Sequence, residues 1–235
     1  MGPAPGSLAA RMSKSHTNVS PGPVPEPTSG AEADRLQTPH LRAGEFVWNL
    51  RRLSWNETLA RARADHRRIV SFLAAHKARP QGHALFHPSF VCAFLYRISN
   101  HWFRAGHPHV ARFVWHLNLL LTGADVDPRA DLGEGLVILS PPGTAIMGTA
   151  GRNLTVMPCA GLGGAVGRSV DIGAGPGLPF LGDDVLLEPH CGVLGPVRVG
   201  HRVRVGAGIP LTEDVPDDTY VEGYQARFLR RRDLP

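Results

Sequence analysis

The chain has 235 residues, a formal net charge of +5 and a pI near 9.6, enough for one sizeable core with an appended element. No stretch approaches the roughly 20 apolar residues of a membrane span, so we expect no membrane partner. Three cysteines without a CxxC pair indicate neither a disulfide framework nor a zinc site, and we expect no metal. Aromatic and basic residues do not interleave, which argues against a nucleic acid partner.

The first forty residues contain seven prolines and no Phe, Trp, Tyr or Ile, which predicts a disordered extension over residues 1–40. They lack the apolar core of a signal peptide and the arginine bias of a transit peptide, so the cytoplasm is the expected compartment. At the other end, an exit segment and a basic tail are expected over residues 217–235. The arginines of this tail are typical of a solvated surface, although they could also meet phosphates.

Residues 41–122 have the apolar periodicity of α-helices and are predicted to form an N-terminal helical domain. Ser54 and Glu57 have the spacing of a capping box, which predicts a helix start at this point. Pro88 is a favoured first-turn residue and predicts the start of the next helix. A further helix is expected to lead into the second half of the chain, where the helices can cap the open end of the next domain.

A strict six-residue repeat runs from residue 181 to residue 216. Its lead positions are all aliphatic: Leu181, Leu187, Val193, Val199, Val205 and Leu211. Four residues behind each lead comes a small or branched partner: Val185, Cys191, Val197, Val203, Ile209 and Val215. Neither a strand period nor a helix period explains this spacing, whereas a solenoid of short parallel strands places one inward aliphatic per hexad on each flat face. The repeat therefore predicts a three-sided parallel β-helix.

Weaker hexads precede this repeat, led first by Val126, Leu132 and Ile138 and then by Val156 and Leu162. A stretch rich in proline and glycine interrupts them. A second glycine-rich segment predicts a loop over residues 163–180 that leaves the coil. We therefore expect the β-helix over residues 123–216 and an α+β fold for the chain, with the helical domain first.

Three sets of short motifs occur along these two domains. They are His87-Pro88-Ser89-Phe90 with Tyr96-Arg97 and His101-Trp102, then Asp125-Val126-Asp127-Pro128 with Leu132-Gly133, and finally Gly206-Ala207-Gly208 with Val215-Pro216-Asp217-Asp218-Thr219 and Gly223. Together they resemble the serine O-acetyltransferase family of hexapeptide-repeat acyltransferases. The resemblance implies a left-handed β-helix and a homotrimer, with a dimer of trimers left open.

The resemblance also implies acetyl transfer from acetyl-CoA to an alcohol, at a cleft between subunits, by a histidine base that an aspartate orients. Asp125 lies at the position of the orienting aspartate. Counted without gaps, the family's Asp-His pair falls on Leu139 and Ser140, and a shift by one residue to match Gly148 puts the base on Pro141 instead. Neither Ser140 nor Pro141 can accept a proton at neutral pH. A substrate-contacting Arg-His pair falls on Gly177 and Leu178. The chain is thus interpreted as a divergent member without the family's catalytic histidine.

On the donor side, the resemblance implies a groove for acetyl-CoA or another acyl-CoA, or for the pantetheine arm of an acyl carrier protein. Gly163 and Gly164 match a glycine pair that lets pantetheine approach the backbone, and Gly206, Ala207 and Gly208 match a close-contact position nearer the adenine. The alternative is that hexapeptide coils need small residues at their corners in any case.

Four side chains are candidate catalytic groups, each with a plainer alternative. Asp125 orients a base or caps the first coil. Ser140 donates a hydrogen bond to the oxyanion or is a surface serine. Cys159 carries an acyl group or is a small filler. His190 replaces the missing base or is a solvated turn histidine.

Two functions of different classes are compatible with these residues. The first is a divergent acyltransferase whose small-molecule acceptor is an amino acid or a reactive nitrogen nucleophile, which needs no strong base. In that hypothesis, apolar Leu139 and Leu178 reshape the acceptor pocket. The second is a non-catalytic trimeric paralogue that acts as a scaffold or regulatory subunit.

Overall fold

The structure is a computed structural model that describes residues 50–75 and 84–223. The predicted disordered extension, residues 41–49 of the predicted helical domain and the basic tail lie outside the described residues. Three α-helices and fourteen short strands make up the described part of the chain. None of these helices has the length and apolarity needed to cross a bilayer.

The first two of the three helices begin where the sequence signals predicted them, and the third is the further helix expected before the second half of the chain. They are α1 (Trp55–Ala75), α2 (Pro88–Arg104) and α3 (Pro108–Thr122), with a short 3-10 helix at Ala84–Phe86. Before α1, the Glu57 amide donates to Ser54 Oγ at 3.2 Å, and the Ser54 amide donates to Glu57 Oε2 at 2.8 Å. This reciprocal pair is the predicted capping box. The last helix ends at Gly123, whose left-handed φ of 71° turns the chain into the first strand.

The strands after α3 are parallel and divide among three sheets, so the chain winds around a three-sided prism. Face 1 consists of β1 (Asp125–Val126), β4 (Ala145–Ile146), β7 (Gly161–Gly163), β10 (Gly192–Leu194) and β13 (Pro210–Leu211). Face 2 consists of β2 (Asp131–Leu132), β5 (Thr149–Ala150), β8 (Phe180–Leu181) and β11 (Arg198–Val199). Face 3 consists of β3 (Val137–Ile138), β6 (Thr155–Val156), β9 (Leu186–Leu187), β12 (Arg204–Val205) and β14 (Tyr220–Val221). Helices followed by a left-handed parallel β-helix are the predicted architecture.

The inward positions of the hexads form one continuous core along the prism axis. All six lead residues of the strict repeat are buried, and so are their partners except Ile209, which is partly buried. In the stretch where the hexads fail, Ile146 and Ala150 take the inward positions. They stack on Val126 and Leu132 of the first coil. The last strand, Tyr220–Val221, lies beyond residue 216, where the repeat was expected to end.

A buried ion pair joins the helical domain to the first coil. Arg97 of α2 donates to both carboxylate oxygens of Asp65 in α1, at 2.8 and 3.1 Å. Its guanidinium also donates to the carbonyls of Leu132 and Gly133, each at 2.6 Å. The Leu136 amide completes the network by donating to Asp65 Oδ1 at 2.8 Å. The Tyr96-Arg97 motif therefore holds the first coil against the helices.

Candidate functional site

One edge of the prism, where face 3 turns into face 1, gathers most of the candidate residues. Strand β6 pairs in register with β9 before this turn, and β7 pairs with β10 after it. Because the two turns have equal length, Cys159 lies directly beneath His190, with Gly208 above them in the next coil. We call Cys159, His190 and Gly208 the turn column. All three have left-handed φ, of 57°, 60° and 71° respectively.

Backbone hydrogen bonds hold the turn column in this stacked arrangement. The His190 amide donates to the Pro158 carbonyl at 3.1 Å, and the Gly208 amide donates to the Pro189 carbonyl at 3.0 Å. Left-handed φ is uncommon for residues other than glycine, and asparagine, aspartate and histidine adopt it more often than the rest. At this edge it turns the Cys159 and His190 side chains outward, and both residues are exposed.

The turn of the first coil lies immediately below Cys159. The Cys159 Sγ is 3.9 Å from the Pro142 carbonyl oxygen, to which the thiol donates a weak hydrogen bond. A Cβ added to Gly143 would lie 3.2 Å from the same sulfur atom. Ser140 is exposed in this same turn, with a left-handed φ of 58°. The structure therefore brings Ser140, Cys159 and His190 to one edge on three successive coils.

Next to this edge, face 1 presents an outward surface of very small residues. The strand register aligns Ala145, Gly161 and Gly192 one above another, and we call them the floor. Gly161 is required by coil packing, since an added Cβ would lie 2.2 Å from the Ala145 carbonyl oxygen. At Gly192 the nearest atoms to an added Cβ belong to Leu194, at 3.8 Å. A ligand can approach the backbone of the floor closely.

Asp125 lies at the lower end of the floor, in register with Ala145. It is exposed, and its Oδ1 accepts a hydrogen bond from Trp115 Nε1 of α3 at 2.9 Å. The indole thereby fixes the orientation of the exposed carboxylate on the floor side of the prism. The sequence motifs did not point to Trp115, because a helix residue ten positions earlier meets this strand only through the tertiary fold.

The predicted loop borders the other side of face 1. Residues 164–179 run between β7 and β8, and Arg168 Nη1 donates to the Thr212 carbonyl at 3.1 Å, which anchors the loop to the last coil. Among the described residues, no atom lies within 4 Å of a Cβ added to Gly163, so packing within this part of the chain does not require a glycine there. At Gly164 the nearest atoms, in Gly177 and Leu178, lie at an ordinary 3.6 Å.

The three residues of the Gly206-Ala207-Gly208 motif differ in their surroundings. Gly206 is buried, and an added Cβ would lie 2.7 Å from the Val221 carbonyl oxygen, so coil stacking explains this glycine. The Ala207 amide donates to Glu188 Oε2 at 3.0 Å, and Glu188 also pairs with Arg204. Gly208 is at the top of the turn column, and no atom of the part of the chain that the structure describes lies within 4 Å of a Cβ added to it.

The two leucines of the acceptor hypothesis pack inside the protein. Leu139, next to Ser140, is partly buried and packs against the cluster of Ile69, Leu73 and Val137 at the helical domain. Leu178 is buried. The second histidine of the coils, His201, lies at the corner between faces 2 and 3, where its Nδ1 accepts a hydrogen bond from the Asp183 amide at 2.9 Å.

Cys191 is a core residue, and burial raises the pKa of its thiol to about 12, so this cysteine is unreactive. No cluster of three or more His, Cys, Asp or Glu side chains suited to a metal ion occurs in the described ranges 50–75 and 84–223. The edge thus offers a thiol, an imidazole, a hydroxyl and a carboxylate beside a surface nearly free of side chains. This combination suits acyl transfer from a slender donor.

The chain is similar to known serine acetyltransferases in sequence and in fold. No protein-family model matches the chain. It is 32% identical over 149 residues to a serine acetyltransferase of Synechococcus elongatus, which covers 63% of this chain and 59% of that protein. The match spans about three fifths of the length of this relative and of the serine acetyltransferases of Bacillus pumilus and Bacillus subtilis.

Solved structures resemble this chain over a larger share. Soybean serine acetyltransferase complexed with serine superposes with a TM-score of 0.62 at 24% identity, covering 73% of this chain and 69% of that one. A serine acetyltransferase in complex with CoA gives a TM-score of 0.62 at 18% identity, with coverages of 74% and 71%. The chain has the serine acetyltransferase fold. Its helices lead into a prism with five strands on face 1 and a loop after β7.

Proposed function

We propose that this protein is an acyl-CoA-dependent acyltransferase that moves an acetyl group from acetyl-CoA to a small nucleophilic acceptor. The observation that carries the proposal is the edge where Ser140, Cys159 and His190 adjoin a floor of alanine and glycine. Similarity to serine acetyltransferases in both sequence and fold supports the same activity. The donor groove is proposed to lie at the seam of a homotrimer, because face 1 presents a flat, small-residue surface to a neighbour.

The floor is suited to the pantetheine arm of the donor. Pantetheine is narrow and carries two amides, so it binds where side chains are absent and backbone groups can be approached. Gly163 contributes to this surface, since no atom of residues 50–75 or 84–223 fills the space beside it. A donor along the floor places its thioester near Cys159 and Ser140. An acyl carrier protein would present the same arm, and assays with both donors distinguish the two sources.

We propose that the acceptor's nucleophile is a nitrogen atom or another group that needs no strong base. A hydroxyl must lose a proton to attack, and general-base catalysis typically contributes about 10²–10⁴-fold to such a step. An unprotonated amine, hydrazine or hydroxylamine already has a free lone pair. Asp125 is exposed at the lower end of the floor, where it can attract the ammonium group of an amino-acid-like acceptor. Serine is the natural comparison, because the relatives are serine acetyltransferases.

Donor binding is tested by calorimetry with acetyl-CoA on the purified full chain. Gly163→Val should weaken binding by roughly tenfold or more, since valine fills space that pantetheine needs. Glu134→Val, at an exposed position at the corner between faces 2 and 3, should leave both binding and the unfolding midpoint unchanged. If the intact protein does not bind acetyl-CoA at all, the proposal is wrong and the non-catalytic scaffold becomes the better interpretation.

Acceptor choice is tested by following loss of the acetyl-CoA thioester with serine, hydroxylamine, hydrazine and small amines. We expect the nitrogen nucleophiles to be preferred over serine in kcat/KM. A turnover confined to serine would contradict the proposed acceptor while leaving the donor and the reaction class intact. Sedimentation equilibrium measures the assembly, for which we expect a trimer or a pair of trimers.

A further inference from the structure

We propose that Cys159 and His190 form a covalent acyl relay, in which the acetyl group passes from acetyl-CoA to the Cys159 sulfur and then to the acceptor. This inference rests on the proposed acyl-CoA-dependent function and adds a two-step route to it. The resemblance to serine acetyltransferases does not suggest such a route, since that resemblance implies direct transfer of the acetyl group from acetyl-CoA to the acceptor. The basis is the juxtaposition of the two side chains in the turn column.

The first observation is the register of the two coils. Because β6 pairs with β9 and β7 with β10, the turns between them stack residue on residue. Neighbouring strands lie about 4.8 Å apart, and that spacing separates the Cys159 and His190 backbones at this edge. Both side chains leave the prism in the same direction, since both residues have left-handed φ near 60°. An imidazole on a neighbouring coil is within reach of the thiol by side-chain rotation alone.

The second observation is the setting of the sulfur atom. Cys159 Sγ lies 3.9 Å from the Pro142 carbonyl oxygen, in the turn where the family resemblance places the general base. The thiol therefore lies at this edge and points towards the turn below, which also exposes Ser140. Rotation of the exposed Cys159 side chain about its Cα–Cβ bond turns the sulfur atom towards His190 in the coil above. Beside it, the floor leaves room for the pantetheine arm that must deliver the thioester.

The third observation is the contrast with the other two cysteines. Cys92 and Cys191 are buried, and burial raises the pKa of their thiols to about 11 and about 12. Neither can serve as a nucleophile at neutral pH. Cys159 is exposed. It is thus the thiol in the described residues that an acyl-CoA can reach.

The two steps balance as thiol exchange followed by acyl transfer. In the first step, neutral His190 takes the thiol proton, Cys159 sulfur attacks the acetyl carbonyl, and the carbon–sulfur bond to CoA breaks. The CoA thiolate leaves and is protonated by the imidazolium. In the second step, the acceptor nitrogen attacks the acetyl-cysteine thioester and loses its proton to His190. The Cys159 sulfur departs and recovers that proton, so the enzyme returns to its starting state.

This route explains how transfer proceeds without the family's base. Cysteine is the least demanding nucleophile to activate, since a few per cent is thiolate at neutral pH and the sulfur is intrinsically reactive. Exchange between two thioesters is nearly balanced in energy, because one thioester is broken and another is formed. A nearby imidazole then needs only to shuttle a proton.

The relay is tested on the full-length protein mixed with acetyl-CoA in the absence of acceptor. Intact mass and peptide mapping should show one acetyl group on Cys159 that hydroxylamine removes. Its formation and its discharge by acceptor should each be at least as fast as turnover. Cys159→Ala should bind acetyl-CoA with unchanged Kd but form no adduct and lose about 10²-fold or more in kcat.

His190→Ala should slow formation of the adduct by about 10²–10⁴-fold without changing the Kd for acetyl-CoA, and added imidazole should restore part of the rate. A purely structural histidine would not respond to imidazole. Asp184→Ala is the matched control, because Asp184 is an exposed left-handed turn residue at another corner of the prism. It should leave adduct formation unchanged.

The outcomes separate the relay from the function on which it rests. If Cys159→Ala binds acetyl-CoA and turns over at the wild-type rate, the relay is wrong and direct transfer stands. An adduct that forms more slowly than turnover also overturns the relay. If the wild-type protein neither binds acetyl-CoA nor becomes acetylated, the proposed function fails together with the relay.

Discussion

The buried pair of Asp65 and Arg97 offers a sharp test of how the helical domain and the first coil are held together. Their side chains are 0% and 1% exposed. Although burial works against it, the Asp65 carboxylate raises the pKa of Arg97 above its ordinary value. The proposed change is Asp65→Asn, which keeps the shape of the side chain and removes its charge. It leaves the Arg97 guanidinium buried without a counterion.

The expected cost depends on the groups that the substitution leaves unpaired. Removing one partner of a buried ion pair typically costs about 3–5 kcal/mol. The asparagine amide group also faces a donor, either Arg97 or the Leu136 amide, since both donate to the present carboxylate. For a chain of this size, that loss corresponds to a fall in the unfolding midpoint of roughly 10 °C. Removing both partners together, as in Asp65→Leu with Arg97→Met, should also destabilise the protein, because the Leu132 and Gly133 carbonyls and the Leu136 amide lose these hydrogen bonds.

Thermal and urea unfolding, followed by circular dichroism at one fixed protein concentration, measure these differences. Arg202→Ala is the matched control, because it breaks an exposed pair with Asp218 whose side chains are 55% and 65% exposed. It should leave the midpoint nearly unchanged. A loss below about 1 kcal/mol for Asp65→Asn would refute the reasoning, since that is the size expected of an exposed pair.

Three further predictions test the coil and the first helix. Leu187→Ala removes an inward lead residue and should lower the free energy of unfolding, measured in urea, by about 2–5 kcal/mol. Leu186→Ala, on the outer side of the same strand, should lower it much less. Equal losses for the two variants would contradict the inward register. Gly161→Ala should lower the free energy of unfolding by about 1–3 kcal/mol, because the added Cβ lies 2.2 Å from a carbonyl oxygen of the coil below. Gly192→Ala should be tolerated. A larger loss for Gly192→Ala than for Gly161→Ala would rule out this stacking. Hydrogen bonds, first from the N-cap backbone amide, lower the pKa of Glu57 to about 2, below its unfolded value. The ionised Glu57 carboxylate therefore contributes fully to the stability of the folded state above about pH 4.5, and this contribution is lost as the pH falls towards 2. The difference in unfolding free energy between wild type and Glu57→Gln should shrink over that pH interval.

Much of the candidate site was predictable residue by residue but not as an arrangement. Ser140, Cys159 and His190 could be identified as candidates from the family resemblance and from their hexad offsets. Their gathering at one edge depends on coil lengths, which vary where proline and glycine interrupt the hexads. The sequence does indicate that Cys159 and His190 occupy equivalent turn positions, since a proline precedes each of them at the same distance from a hexad lead. Trp115 had no such signal.

The local amino-acid sequence determines which side chains of the coil face the core and which face outward. A strand alternates its side chains, so an aliphatic every sixth residue is sufficient to mark the core of the prism, as Leu181 to Leu211 do. Helix starts are local in the same way, because a capping box or an initial proline acts within one turn. Which residues become neighbours is decided by stacking between coils that are distant in the chain. In the folded prism Leu139 packs against the helices, Asp125 accepts a hydrogen bond from the Trp115 indole, and Cys159 lies under His190. The local sequence does not determine these contacts, because the register of the coils across insertions depends on the packing energy of the whole prism.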